Sequence, residues 1–475
     1  MDLRALLVSY SFPPVGGAGV QRVAKLAKYL PHHGVRPAVL TVANPSAPLR
    51  DDSLLRDVPV GVEVARAPTL EPGYAAKRAA WRAQARPRGG HAGPASLRRR
   101  GVRALGGLAR EVLFPDPQVL WQPAAQGALA RRIGARRDDA VLLSGPPFSV
   151  FLLAPLARAG GLGVVLDYRD EWSTVRSGHE MSRSLAGRIL GDPLEAALLR
   201  RAHAVVTATD ESRDSLLARF PFLDVDRVFA IPNGYDADDF PSSLPSPPAA
   251  GGRLTLTYAG TVFALTSARG LLAGVRLLGE RSPRLAGSLR VRFVGRVVET
   301  ELDAFDGAEA LGVERVPYVP HGEVLRELAA SHAALCLLDD VPGAERIHPA
   351  KIFELMRLGR RVLTLAPRSS ALARLVERHA LGPVAPPRDA AAIAGLLELE
   401  LRAFREGRAS PASSSTSLPT RSPASLPTSV SMPWQNAPRG PARGPGIERY
   451  DRRALASEFA EILKEAALAA RRRGA

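Results

Sequence analysis

A strand-like apolar run followed by a helical pattern recurs along this chain, and the series starts over near its middle. Residues 3–10 read "LRALLVSY". They lead into "VQRVAKLAKYLPHHG", where Val23, Leu26, Ala27 and Leu30 recur at helical spacing and Gly34 is a stop. "RPAVLTVAN" then reads as a second strand, and "DAVLLSGPP", "GVVLDYRD" and "AHAVVTAT" as buried strands separated by helical stretches. Beyond residue 250 come "RLTLTYAGT", "LRVRFVG", "AALCLLDD" and "RRVLTLAP" as strands. "SARGLLAGVRLLGE", "HGEVLRELAASH", "PAKIFELMRLG" and "SALARLVERHA" are the helices between them. Such alternation predicts parallel sheets with helices on both faces, here in two similar α/β halves. The segment "IPNGYDADDFPSSLPSPPAAGG" is loop-like throughout and places the boundary near residues 235–250. A length of 475 residues agrees, because single cores stop growing at roughly 250–300 residues.

Two stretches stand outside this pattern. Residues 76–110 are rich in arginine and lysine, among them Lys77, Arg78, Arg82, Arg86, Arg88, Arg98, Arg99 and Arg100, with glycines between. Residues 407–447 are rich in Ser, Pro and Thr ("SPASSSTSLPTRSPASLPTS"), a composition that cannot bury a core and predicts a disordered linker. After it, "IERYDRRALASEFAEILKEAALAARRR" is an amphipathic helix whose apolar stripe uses Leu455, Phe459, Ile462 and Leu463 and requires a surface to pack on.

The formal charge of +17 favours polyanionic partners, such as phosphorylated small molecules or an anionic membrane face. Nucleic acid is disfavoured, because the basic segment interleaves only Tyr74 and Trp81 as stacking platforms. The single cysteine, Cys336, excludes a disulfide framework and suits a reducing compartment. The start "MDLRALLVSYSFPP" does not read as a signal peptide, and no run of roughly 18 apolar residues predicts a spanning helix. A soluble cytoplasmic protein is expected, with the basic segment as a candidate for peripheral contact with the inner face of the membrane. The nine histidines form no metal-ligand spacing, and "DVD" at 224–226 and "DAD" at 236–238 are too little to assign a metal.

Between the first strand and the first helix lies "SFPPVGGAGVQR". Gly17 and Gly19 give G-x-G, but Arg22 stands at the third glycine position, and the second strand ends "LTVAN" without a carboxylate for a ribose. Neither a dinucleotide fingerprint nor a P-loop is present. What remains is a glycine loop at a helix N-terminus, where backbone amides can approach an anion.

In these residues the chain resembles the GT-B glycosyltransferases of the family-4 type, close to bacterial enzymes of surface-polysaccharide assembly. The likeness runs through "YSFPPVGGAGVQRVAKLAKYLPHHGVRPAVLTV", "FPDPQVLWQPAA", "LLSGPPFS", "VVLDYRDEWS" and "IPNGYDADDF". It continues through "LTYAGTVF", "VRFVG" and "IHPAKIFELMRLGRRVLTLAP". The resemblance implies two Rossmann-like domains facing each other across a cleft, residues 1–235 on the acceptor side and 236–406 on the nucleotide-sugar side. It also implies that residues 448–475 form a helix returning to the N-terminal domain.

The resemblance assigns donor binding to Gly16, Gly17, Gly260, Arg269, Lys351 and Glu354. Glu354 would accept hydrogen bonds from the ribose, and Lys351 and Arg269 would meet the diphosphate. Asp170 would position or deprotonate the acceptor hydroxyl, with Arg169 beside it. Thr261, Arg346 and Arg169 stand where the family usually places an arginine, a glutamate and a histidine. The expected activity is retaining, metal-independent transfer from a nucleoside-diphosphate sugar to a glycan or lipid-linked acceptor, with no cofactor. Two alternatives stay open: a nucleotide-sugar epimerase of the same architecture, and a catalytically weak GT-B-like binding protein.

Overall fold

The computed structural model describes residues 2–77, 113–173, 185–248, 252–407 and 446–474. The arginine-rich segment beyond Lys77 and the Ser/Pro-rich stretch between 408 and 445 lie outside the described residues. The chain divides into two compact units, Met1–Asn233 with Arg452–Ala475, and Gly234–Asp451. No helix among the described residues is long and apolar enough to cross a membrane.

The first unit is built on seven parallel strands: β1 (Leu3–Ser9), β2 (Val35–Val42), β3 (Glu63–Ala67), β4 (Ala140–Gly145), β5 (Gly163–Tyr168), β6 (Ala204–Thr207) and β7 (Val228–Ala230). Their order is β3-β2-β1-β4-β5-β6-β7, with Ala5 beside Ala140 and Val141 beside Val164. A parallel sheet is covered on both faces, so its strands are apolar without interruption. β4 and β5 are buried along their whole length. Alternate residues serve opposite layers. Leu6, Val8, Val141 and Leu143 pack against Trp121, Leu129, Phe148 and Phe151. Ala5, Leu7, Leu142 and Val165 pack against Val23, Leu26, Phe459 and Leu463.

Helix α1 (Ala18–Tyr29) lies in that second layer. The last helix of the chain, Arg452–Gly474, completes it with Leu455, Ala456, Phe459, Ala460, Ile462 and Leu463. The apolar stripe expected of the C-terminal segment thus finds its surface on the first unit. Burying a leucine or phenylalanine side chain contributes about 1.5–3 kcal/mol, so this helix holds a large share of the first unit's stability.

The second unit has six parallel strands: β8 (Leu254–Ala259), β9 (Leu289–Val294), β10 (Val313–Val316), β11 (Ala333–Leu337), β12 (Arg361–Leu365) and β13 (Val384–Ala385). Their order is β10-β9-β8-β11-β12-β13. Along β11, Ala333, Leu335 and Leu337 face one core layer, and Ala334 and Cys336 the other. Cys336 is fully buried, and burial pushes its thiol up to about 11. Two doubly wound sheets are therefore present, as the alternation predicted. β3, β7, β10 and β13 were not anticipated; they are edge or near-edge strands of two to five residues.

In each sheet the strand order reverses direction at one place, between β1 and β4 and between β8 and β11. Open α/β sheets bind ligands at the carboxyl ends of the strands flanking such a switch point. The glycine loop after β1 and Gly260 after β8 stand at these two places.

Candidate functional site

At the switch point of the first unit, residues 10–17 do not form a free arm. The Gly16 amide donates to the Leu49 carbonyl at 3.0 Å, and the Asp51 amide to the Pro14 carbonyl at 2.8 Å. Gly17 precedes α1 at φ 107°, a left-handed region that favours glycine, and a Cβ there would meet open space. The opening at the helix mouth is therefore beside Gly17, while Gly16 anchors the loop to the 49–51 segment.

The two arginines of this region are held by the fold. Arg22 and Asp167 are both buried, and Arg22 Nε and Nη2 donate to Asp167 Oδ1 at 3.0 and 2.9 Å. Arg22 also donates to the Pro232 and Ile231 carbonyls at 2.8 and 2.9 Å, and its guanidinium lies 4.8 Å from the Phe459 ring. Ser144 donates to the same Asp167 at 2.7 Å. Arg169 donates to the carbonyls of Gly145, Pro146 and Gly19. It ties the loop after β4 to the first turn of α1, across the switch point. Burial lowers its pKa, and Asp167 and Asp170 act in the opposite direction. Asp170 follows it half-buried at the end of β5. Beneath them, Trp172 stacks on Phe148 with ring centroids 5.0 Å apart, so the aromatics of "RDEWS" and "GPPFS" are core.

At the switch point of the second unit, Gly260 leaves β8 at φ 133°, and a Cβ on it would lie 2.7 Å from Lys351 Nζ. The backbone favours glycine here, and any side chain would displace the ammonium group beside it. Lys351 opens the helix Lys351–Leu358, and its Nζ stands 3.7 Å from the Tyr258 ring centroid. That cation–π contact orients the ammonium without neutralising it. Tyr258 Oη in turn donates to the Thr261 carbonyl at 2.8 Å. Thr261 therefore contributes its backbone to this corner.

Glu354 lies one turn along the same helix, on the face that carries Lys351. Its Oε1 meets His321 Nε2 at 2.9 Å, and both side chains are about 15% exposed (14% for His321, 15% for Glu354). His321 is the first residue of another helix, His321–Ala329, and its Nδ1 lies 4.0 Å from Asp239 Oδ2. The sequence offered no local signal for His321, because its partner is 33 positions away.

Arg269 begins the helix Arg269–Arg281 but turns to carboxylates. It donates to Asp303 at 2.6 Å and to the Thr300 carbonyl at 2.7 Å, with Glu301 at 3.5 Å. Its hydrogen bond to Asp303 raises its pKa further. The structure thus gathers Gly260, Lys351 and Glu354 with His321, and shows Arg269 paired with acids. In the 233–239 turn, Gly234 has φ 68°, and Asp236 accepts from the Asp238 amide at 2.9 Å. Asp224 does the same for the Asp226 amide at 3.1 Å. These two carboxylates cap turns, as Asx residues do.

Residues 87–239 match the family described as Glycosyltransferase Family 4. Among curated proteins no sequence match was found. Solved structures are similar over nearly the whole chain. Anabaena HepE in complex with UDP and glucose has a TM-score of 0.59 at 14% identity, covering 97% of this chain and 99% of that one. Sucrose-phosphate synthase from Thermosynechococcus elongatus has 0.58 at 15%, covering 98% and 100%. WaaG, a glycosyltransferase involved in lipopolysaccharide biosynthesis, has 0.56 at 14%, covering 97% and 99%. The solved structures show that the chain has the GT-B fold, and the match of residues 87–239 to the family-4 glycosyltransferase model supports glycosyl-transfer activity.

Proposed function

We propose that this GT-B chain, with its match to the family-4 glycosyltransferase model, moves a sugar from a nucleoside-diphosphate sugar to an acceptor hydroxyl, with retention of configuration, in surface-glycan or glycolipid assembly. The observation that carries the reading is the group Gly260, Lys351 and Glu354 at the carboxyl end of β8. A carboxylate that only accepts hydrogen bonds suits the vicinal hydroxyls of a ribose. Lys351, whose neighbours are a ring face and a glycine, suits the diphosphate. Departure of the nucleoside diphosphate builds charge on its terminal phosphate, and a fixed cation there lowers the barrier. Arg269 reaches that phosphate only by exchanging its Asp303 pairing. In the first unit, Asp170 is the group assigned to the acceptor hydroxyl, and the open space at Gly17 is assigned to a phosphate or sugar. Arg169 is assigned to holding this corner in shape.

HepE, in complex with UDP and glucose, and WaaG, involved in lipopolysaccharide biosynthesis, support a hexose donor and a glycan or lipid-linked acceptor. The net charge of +17 supports an acceptor presented at an anionic membrane face. The test begins with a thermal-shift screen of nucleoside diphosphates, since a ligand that binds only the folded state raises its apparent stability. Calorimetry on Glu354→Ala follows. The variant is expected to keep the fold and to lose roughly tenfold or more in nucleotide affinity, about 1.4 kcal/mol per tenfold. Unchanged affinity would remove the donor site from this helix. Conversion of a nucleotide sugar with no acceptor present would indicate an epimerase instead.

A further inference from the structure

We infer that His321 is a positioning residue for Glu354 and thereby sets the site's preference for an intact ribose diol; the inference rests on the donor-site reading above. A glutamate side chain has three torsions, and a carboxylate that turns freely offers its acceptors in no fixed direction. Here Glu354 is held. His321 Nε2 lies 2.9 Å from Oε1, and neither side chain is more than 15% exposed. An ionised carboxylate only accepts, so the imidazole proton of that contact sits on Nε2. On its other side the ring faces the buried Asp239, with Nδ1 4.0 Å from Oδ2, beyond hydrogen-bond distance. His321 stands at the first position of its helix and Glu354 in the first turn of another, so two rigid elements bring the pair together. With one carboxylate oxygen taken by the imidazole, the other is turned in a set direction. A ribose with both hydroxyls intact gains most from such a fixed acceptor, and a nucleotide lacking the 2′-hydroxyl gains less.

The experiment is calorimetry on the full chain with UDP, GDP and ADP, continued with the tightest of the three and its 2′-deoxy counterpart. His321→Ala is expected to weaken the ribonucleotide roughly tenfold and the 2′-deoxynucleotide much less, narrowing the preference between them. His321→Gln places an amide donor near the position of Nε2 and is expected to restore most of the affinity. In a Glu354→Ala background, His321→Ala is expected to add no further loss, because a residue acting through Glu354 has nothing left to act on. If the alanine variant does not fold, His321→Met, which keeps bulk without a donor, takes its place in the same comparison.

Wild-type affinity in the His321 variant, or an equal loss on both nucleotides that glutamine does not restore, overturns the inference. If Glu354→Ala loses affinity and His321→Ala does not, only the role of His321 fails. If Glu354→Ala binds like the wild type, or none of the three nucleotides binds the wild type, the donor-site reading fails and this inference with it.

Discussion

At the scale of single residues, the charged groups in the quoted motifs separate by what they touch. Arg22, Arg169 and Asp167 sit in the most motif-like part of the sequence, yet their polar atoms are spent on carbonyls and on each other. Lys351 lies against a ring face. Residue type gave no way to tell these apart, because an arginine aimed at a carbonyl and one aimed at a phosphate look the same in sequence.

Asp116, from "FPDPQ", is a further case. It is buried and accepts from the Ser149 amide at 2.8 Å. Burial outweighs that bond and those from Phe148 and Gln118, and pushes the carboxyl up to about 6. An acid whose pKa is raised by folding binds its proton more tightly in the folded state. Its contribution is therefore most favourable below the unfolded value of 3.8, declines as pH rises, and is at its least favourable above about 6. The window corresponds to a penalty on the order of 3 kcal/mol. Asp116→Asn keeps an acceptor and removes the charge. Urea unfolding should show the variant gaining on the wild type across that window and staying ahead above it. Parallel pH profiles for the two proteins would contradict the assignment.

At the scale of elements, strands with buried central positions were legible because a parallel sheet must be apolar on both faces. The strands that escaped notice are short and partly exposed, as in β3, where "EVARA" has one buried residue. The C-terminal helix was legible as an amphipathic stripe, and the family resemblance implied its return to the N-terminal domain, but the residues it covers were supplied only by the fold. It lies so close to β5 that a Cβ on Gly163 would come within 2.5 Å of the backbone of Ala466 and Ala467. Backbone on both sides leaves nothing flexible to yield. Gly163→Ala should cost about 1–3 kcal/mol in chemical denaturation. A variant as stable as the wild type would mean that the helix shifts along the sheet without cost.

At the scale of the whole molecule, the chain closes the first unit with its own last residues, after completing the second. A polypeptide of residues 234–451 contains the sheet, both core layers and the Lys351–Glu354–His321 group of the second unit. It should show a cooperative thermal transition and bind the same nucleotide as the full chain. A polypeptide of residues 1–233 lacks the helix that covers Ala5, Leu7, Leu142 and Val165. It should not show such a transition until a peptide of residues 452–475 is added. A cooperative melt of residues 1–233 alone would show that the helix is dispensable.

The sequence by itself determined the two doubly wound halves, because hydrophobic periodicity is a local property set by the spacing of side chains along strand and helix. It also determined the glycine loop and the helix carrying Lys351 and Glu354, since both are contiguous runs. Only the tertiary structure decided which face the last helix covers and which arginines are consumed by backbone carbonyls. It alone brought His321 to Glu354 across 33 positions of chain. Such pairings depend on where strands and helices lie in three dimensions, and no local pattern encodes the distance between groups that meet only after the sheet has formed.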